Sequence, residues 1–385
     1  MSSSSSHEFE NLRLWLRDGV DVYISPNCDV HFVFLATRRR IRLKVDTSLS
    51  DSLEWFSGSS CVAELNKKYQ EIRPSDGDGS ASSFTDFAYY LYEKGILVEK
   101  DWMAKYLPAK KISRFSRQLN FLLDVEGSAA SAARIFQKIQ STRIALVGLG
   151  AVGSWMLKEL LQIGFQKFVL IDPKVLSSTD VSRNALFNSK LVGMAKVDIA
   201  ERYVRSEAID PEVQVEKRPL NIDTEVKTLV GSDVDLIINT ADEPYIGATS
   251  IKLSRYCVKK NLPLLVAGGF DAHLASLSEL IVPGQTPCAD CYAVYFEKAL
   301  QDWKPIQHPI TNRNKGFGGL PSLGAFAASA AVLKIVRFLS TTGSDVENGR
   351  GEFLFDKYQI DSFEVKRNPD CPSCSQAERH STRVI

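Results

Sequence analysis

Neither sign of charge dominates this 385-residue chain: 47 Lys and Arg face 46 Asp and Glu, a formal net charge of +1. That balance removes the electrostatic case for a nucleic-acid or anionic-membrane partner. Long uncharged apolar runs are also missing. The most apolar stretch, Ser322 to Leu339, carries Lys334 and Arg337, which disfavours a membrane span of about 20 residues and favours a buried helix. The start, MSSSSSHEFENLRLWLRDG, has no basic segment leading into an apolar core and a small-residue cleavage site, so a cytoplasmic protein is the expectation. No solenoid-length repeat is present. Cysteine is sparse and odd in number, at seven. Cys28, Cys61 and Cys257 stand alone and read as small buried hydrophobes. Cys288 with Cys291 and Cys371 with Cys374 form two CxxC pairs, which in a reducing compartment point to metal before disulfide.

What is present falls into three parts. Residues 1–8, rich in serine, read as a disordered leader. In residues 9–107, apolar positions alternate at Val20, Val22 and Ile24, at Val30, Phe32 and Phe34, and at Ile41, Leu43 and Val45. This predicts three short strands. Short helices follow at Leu53 to Phe56 and Val62 to Tyr69, then a helix from Phe84 stopped by Gly95. From 108 to 385 the pattern changes to apolar strands alternating with helices: RIALVGLG, FVLIDP, VQVEKRPL, DLIIN and PLLVAGG. The fold class expected is α/β, a Rossmann-like nucleotide-binding domain with a parallel-rich sheet covered on both faces, behind a small strands-then-helices module.

Gly148, Gly150 and Gly153 form GxGxxG between a strand and a helix, and Asp172 ends the next strand 19 residues later. Glycines permit a tight turn and close backbone approach to phosphate, the helix start offers unpaired N–H groups, and the acid suits ribose hydroxyls. Arg183 and Lys196 follow on the next segments. A triphosphate requires such fixed cations, whereas a dinucleotide pyrophosphate does not. The two CxxC pairs supply four thiolates, a set that suits tetrahedral Zn²⁺ with a closed shell and hence a structural metal, with two disulfides or unrelated thiol pairs as the alternatives.

Taken in order, Arg114-Phe115-Ser116-Arg117-Gln118, the glycine loop, Asp172, Ser182-Arg183, Lys196, Asp242 after DLIIN, and the two CxxC pairs resemble the E1-like superfamily of ThiF and MoeB adenylating enzymes. The resemblance implies ATP-dependent adenylation of a carboxylate. It implies that Asp172 holds ribose, that Arg183 and Lys196 hold phosphates, that Asp242 organises Mg²⁺, and that Arg117 reaches across a homodimer interface. It also places a crossover loop at about 304–320. No cysteine lies there, so a persistent thioester of the ubiquitin type is not expected. His273 and His308 are treated as non-catalytic. Two positions depart from the family pattern: Lys174 stands where many relatives carry a second acid, and Asp180, Arg183 and Asn184 stand where they carry Asn and then Arg-Gln. An inactive relative is therefore among the readings.

The module of residues 9–107 resembles the PqqD-like, winged-helix-type element that captures leader peptides by adding a strand. The basic segment Arg38 to Lys44 offers charge for an acidic leader. An E1-like domain behind such a clamp is similar to the enzymes that act on precursor peptides in microcin C and pantocin A synthesis. The function implied is activation of a carboxylate, a glutamate side chain by preference, in a ribosomal precursor peptide during peptide-antibiotic biosynthesis. The alternatives are adenylation of a peptide C-terminus, activation of a sulfur-carrier protein, and a non-catalytic peptide-binding partner.

Overall fold

The computed structural model describes residues 3–26, 29–72, 83–221, 223–268, 275–299, 301–302, 318–340 and 349–375. The chain divides into two compact units, 1–137 and 138–385.

In the first unit, α1 (Ser3–Glu10) leads into β1 (Arg13–Leu16), β2 (Val20–Ile24), β3 (Asp29–Phe34), β4 (Arg40–Lys44), α2 (Thr47–Asp51), β5 (Ser57–Cys61), α3 (Val62–Ile72), α4 (Phe84–Glu93), β6 (Leu97–Glu99) and α5 (Ala109–Glu126), and α6 (Ala129–Ser141) runs across the boundary into the second. The expected strands at 20–24, 30–34 and 41–45 are present as the antiparallel sheet β2-β3-β4. A second sheet, β5-β1-β6, was not foreseen. The helix α1 begins inside the segment read as a disordered leader. Its anchor is Phe9, buried against the rings of Tyr89 and Tyr92 on α4. The unit also runs past Leu107, because α5 is fastened to the module through Arg17. That guanidinium donates to the carbonyls of Gly95 at 2.9 Å and Asn120 at 3.2 Å, and it ion-pairs with Asp124 on α5. Both partners of the pair are buried.

The second unit contains β7 (Arg143–Val147), α7 (Ala151–Ile163), β8 (Lys167–Ile171), α8 (Ser178–Val181), α9 (Lys196–Glu207), β9 (Glu212–Glu216), α10 (Val226–Val230), β10 (Leu236–Asn239), α11 (Ile246–Lys260), β11 (Leu264–Val266), β12 (Glu279–Ile281), α12 (Ala289–Ala299), α13 (Pro321–Leu339), β13 (Gly349–Leu354) and β14 (Gln359–Glu364). Its six-stranded sheet has the order β12-β11-β10-β7-β8-β9 and is parallel except for β12. Every residue of β7 and β10 is buried. Such strands need apolar side chains on both faces, each contributing roughly 1.5 to 3 kcal/mol on burial. The helix α13 is long and apolar enough, at mean hydropathy 1.6, to pass a length-and-composition test for a membrane span. In the fold its small-residue face, with Gly324, Ala327, Ala328 and Ala331, is buried, and a Cβ at Gly324 would stand 3.5 Å from Ala151 on α7. Ser329 on this helix donates to Glu159 of α7 at 2.7 Å. Cys257 is buried, and that burial pushes its thiol up. Cys61 is half-buried at the end of β5, so the reading of it as a buried hydrophobe is corrected. Cys28, His273, His308 and most of the crossover loop lie outside the described residues.

Candidate active site

The turn between β7 and α7 sits where β7 meets the carboxyl ends of β8 and β10, and glycine is required there twice. Gly148 has φ +95°, and a Cβ on it would stand 2.6 Å from Oγ1 of Thr240 and 2.9 Å from the Ala241 nitrogen. A Cβ on Gly153 would lie 2.1 Å from the Gly148 carbonyl oxygen. These two glycines therefore close the turn onto the helix and the neighbouring strand end. Gly150 is different: its side-chain position is open, with nothing within 4 Å. The turn thus packs tightly inward and leaves backbone accessible outward.

Asp172 directly follows β8 and is 6% exposed. One carboxylate oxygen accepts the Leu149 N–H at 2.7 Å and the other accepts the Lys174 N–H at 2.8 Å. Asp172 therefore fastens the glycine turn, and a carboxylate with about four acceptor positions keeps capacity for hydroxyls. Two further residues hold the turn from other sides: Thr240, not singled out from the sequence, and Asn184, noted from it only as a departure from the family pattern. Thr240, after β10, donates its hydroxyl toward the Gly148 carbonyl at 2.8 Å. Asn184 donates from Nδ2 to the carbonyls of Leu149 at 3.3 Å and Gly150 at 3.2 Å. Nothing in the local sequence marks Thr240, because its role depends on a contact made across the sheet.

The segment after Asp172 runs beside the start of α9. Val175 bridges Ala195, and the Lys196 N–H donates to the Lys174 carbonyl at 3.1 Å. This pairing brings the two proposed phosphate cations to one carboxylate. Asp180 accepts from Arg183 at 3.0 Å and from Lys196 at 3.1 Å. Asp180 and Lys196 are each 4% exposed, while the Arg183 side chain is largely in solvent. Burial works against ionisation of Asp180. The Ser177 N–H and hydroxyl and the Lys196 ammonium outweigh it and hold the carboxyl well below its ordinary value.

Asp242 is exposed on the loop after β10, next to Glu243 and the cis peptide before Pro244. Lys174, the departure from the family pattern, ion-pairs with Glu243. Burial pulls the Lys174 ammonium down, but Glu243, with Asp242 and Asp172 nearby, raises it overall. The structure thus gathers Gly148, Gly150, Gly153, Asp172, Arg183, Lys196 and Asp242 around the carboxyl ends of β7, β8 and β10, the crevice in which open α/β sheets bind ligands. Arg117 lies elsewhere, in the first unit, exposed on α5 two residues beyond a break in helical geometry at Phe115.

Cys288, Cys291, Cys371 and Cys374 are all buried, and their sulfur atoms lie within 4.8 Å of one another. The closest pairs are Cys288 with Cys371 and Cys291 with Cys374, each at 3.5 Å, and Cys288 with Cys291 at 3.8 Å. A disulfide would bring sulfurs to about 2.05 Å. A thiolate tetrahedron around a metal with bonds of about 2.3 Å has edges of about 3.8 Å, so the four-cysteine cluster has the dimensions of a metal site. Its surroundings are organised too. Asp290, between the first two cysteines, ion-pairs with Arg255 at 2.8 Å and accepts the Ser373 hydroxyl, while Arg367 donates to the carbonyls of Gly284 and Cys374. Outer partners of this kind orient ligands in metal sites. Arg255 and Arg367 carry no sequence signal for this role.

Comparison with known proteins agrees with this geometry. The ThiF family matches residues 115–373. Among curated relatives, the adenylyltransferase and sulfurtransferase UBA4 of Candida albicans is 24% identical over 251 residues, which is 64% of this chain and 54% of the relative. The SAMP-activating enzyme E1 of Haloferax volcanii is 24% identical over 274 residues, 70% of this chain and 91% of the relative. The chain therefore spans about half the length of UBA4 and nearly all of the archaeal protein. Among solved structures, Escherichia coli MccB determined with ATP superposes with a TM-score of 0.66 at 18% identity, covering 94% of this chain and 99% of MccB. PaaA gives a TM-score of 0.66 at 16% identity over 91% of this chain and 100% of PaaA. These likenesses establish a shared fold. The ThiF match takes in about two thirds of the chain, and the chain belongs to the ThiF family.

Proposed function

We propose that this protein is an ATP-dependent adenylyltransferase that activates a carboxylate, a glutamate side chain by preference, in a ribosomally made precursor peptide. The observation that carries the reading is the convergence of the glycine turn, Asp172 and the Asp180-linked cations Lys196 and Arg183 at the carboxyl ends of neighbouring strands. In the proposed reaction a carboxylate oxygen forms a bond to the α-phosphorus of ATP while the bond from that phosphorus to the oxygen bridging to the β-phosphate breaks. An acyl adenylate and pyrophosphate result, and no proton has to move. A carboxylate cannot expel oxide, whereas AMP leaves readily from the adenylate.

The chain's own groups then have distinct tasks. Backbone N–H groups of the turn from Gly148 to Gly153 meet phosphate at the start of α7. Asp172, already accepting from Leu149 and Lys174, receives ribose hydroxyls on its remaining acceptor positions. Lys196 and Arg183 neutralise the departing pyrophosphate. Asp242 is the carboxylate assigned to Mg²⁺, which bound there would stabilise charge on the phosphates. Arg117 is assigned to the same phosphates in a second copy of the chain, within a homodimer. The four cysteines are assigned to structural Zn²⁺.

The peptide substrate is supported from the first unit. β4 is an edge strand, paired among the described residues only with β3, and it carries Arg40, Arg42 and Lys44. Arg42 is committed to Asp29 and Arg40 to the His31 ring, so Arg38 and Lys44 carry the attraction for an acidic leader. The winged-helix-type assignment of this module belongs to the same proposal. Solved MccB complexes include one with N-formylated MccA, where MccB is the microcin C7 biosynthetic enzyme, and this likeness in fold supports activation of a peptide over that of a carrier protein. The test is ATP–pyrophosphate exchange with the full chain and a glutamate-containing candidate peptide. Peptide-dependent exchange is expected; neither exchange nor AMP release with any peptide or carrier protein overturns the proposal.

A further inference from the structure

We infer that Asp180 is a positioning residue of the nucleotide site, which assembles Lys196 and Arg183 into one phosphate-facing pair before any ligand arrives. The inference rests on the ATP-binding reading above. Four donors converge on the Asp180 carboxylate, three on one oxygen and one on the other. Oδ2 accepts the Ser177 N–H at 3.0 Å, the Ser177 hydroxyl at 2.8 Å and the Lys196 ammonium at 3.1 Å, and Oδ1 accepts Arg183 at 3.0 Å. The contacts of this carboxylate thus go to its own turn and to the two cations, the arrangement of a group that holds them in place. The cations are not filled. After one contact each with Asp180, Lys196 has two N–H donors remaining and Arg183 has four.

Lys196 explains why an acid stands here. It is buried, and it is the first residue of α9, where the positive end of the helix disfavours a cation. The Asp180 charge at 3.1 Å offsets both penalties. Asparagine, the residue many relatives carry at this place, is no substitute in this chain. Its amide has one oxygen and one NH2 group, so in either orientation the NH2 faces a donor: Arg183 on one side, or Ser177 and Lys196 on the other. Asp180 and Ser177 also reciprocate in a capping box at the start of α8.

The test measures binding of AMPCPP and of AMP, each with Mg²⁺, by calorimetry on the full chain as wild type, Asp180→Asn, Lys196→Met and the double variant. Asp180→Asn is expected to weaken AMPCPP by about tenfold or more, the scale of a lost charge-assisted contact, and AMP by less than about threefold. On the Lys196→Met background it should cost clearly less than on the wild type, because the Lys196 contact is already gone and only the Arg183 contact remains to be lost. Unchanged AMPCPP affinity in Asp180→Asn, equal losses for both ligands, or a full additive loss in the double variant overturns the inference. Ser177→Ala loosens the turn and keeps both ion pairs, so it should stay within about threefold of wild type; a loss matching that of Asp180→Asn assigns the effect to the turn and likewise overturns it. Where Asp180→Asn does not fold, Asp180→Glu, which displaces the charge by one methylene, is read by the same criteria. Failure of the wild type to bind AMPCPP takes down the proposed function as well, whereas a wild type that binds with an indifferent Asp180→Asn removes this inference alone.

Discussion

Replacing Cys371 by serine removes one corner of the four-sulfur cluster, and the magnitude of the effect follows from chain connectivity. Cys288 and Cys371 are 83 residues apart in sequence, as are Cys291 and Cys374. Treating the metal as a cross-link that closes a loop of this length gives an entropy of about 15 cal/mol/K, or about 4.5 kcal/mol at 25 °C, by the chain-entropy relation used for disulfides. In a domain of this size that corresponds to roughly 9 to 18 °C in Tm. The loss should be local first, since the tail from Val365 to Cys374 is held by the cluster and by Arg367. Elemental analysis should find one zinc per wild-type chain and much less in Cys371→Ser. Thermal unfolding should show the drop, a strong chelator should reproduce it in the wild type, and a thiol reductant alone should not. Wild type without stoichiometric metal, or a fall in Tm on reduction without chelation, refutes the metal assignment and returns the cysteines to disulfide chemistry.

Four further outcomes follow from the same contacts. Gly153→Ala places a methyl 2.1 Å from the Gly148 carbonyl oxygen, a backbone atom that cannot rotate away; it should destabilise by about 3 kcal/mol, the upper end for overpacking, and abolish AMPCPP binding, measured by denaturant titration and calorimetry. Arg17→Met leaves the Asp124 carboxylate buried without its partner and should destabilise by about 3 to 5 kcal/mol in urea, whereas pairing it with Asp124→Leu should recover much of the loss. The depressed Asp180 carboxyl gives a pH dependence with a definite sign: below its ordinary value of 3.8 the unfolded chain binds the proton first, so its contribution is complete above about pH 5 and falls as the pH drops further. Acid unfolding of Asp180→Asn should lack that component. Lys174→Ala frees Glu243 and should leave thermal stability within about 1 kcal/mol, as expected for an exposed pair.

Legibility in the sequence followed locality. β7, β8, β10 and β11 announce themselves as apolar runs because both faces of each interior strand are covered, whereas the edge strand β9, EVQVE, shows only alternation. The glycine turn is equally readable, since its constraint is set by residues a few positions apart. β5, with the sequence SGSSC, has no apolar alternation and becomes a strand only because β1 pairs with it. β6 is only three residues long and lies just past the Gly95 stop, too short to show a pattern of its own, yet it pairs with β1 from Leu14 to Leu16. The β13-β14 hairpin carries exposed or half-buried positions along its second strand and shows no two-faced pattern. In the site, Asp172 and the cysteines were visible by spacing. The roles of Thr240 and Asn184 were not, because each depends on a contact with the glycine turn from more than thirty residues away.

The charges around the glycine turn also bear on whether nucleotide can bind without a divalent cation. Asp172, Asp180, Asp242 and Glu243 contribute four negative charges, and Lys174, Arg183 and Lys196 contribute three positive ones, so these seven side chains sum to −1. Relatives with an acid at position 174 and Asn at 180 would carry one charge less: Lys for Asp adds two, Asp for Asn subtracts one. A bare triphosphate approaching a site of net negative charge is repelled at long range, and the local cations must first overcome that field. A divalent ion changes the sum to +1 and reverses the balance. AMPCPP should therefore bind tightly with Mg²⁺ and at least about tenfold more weakly in EDTA, with the gap narrowing in Asp242→Asn, which removes both the assigned ligand and one repulsive charge. Equal affinity with and without the metal ion would mean that the three cations suffice, and it would remove Asp242 from the phosphate site.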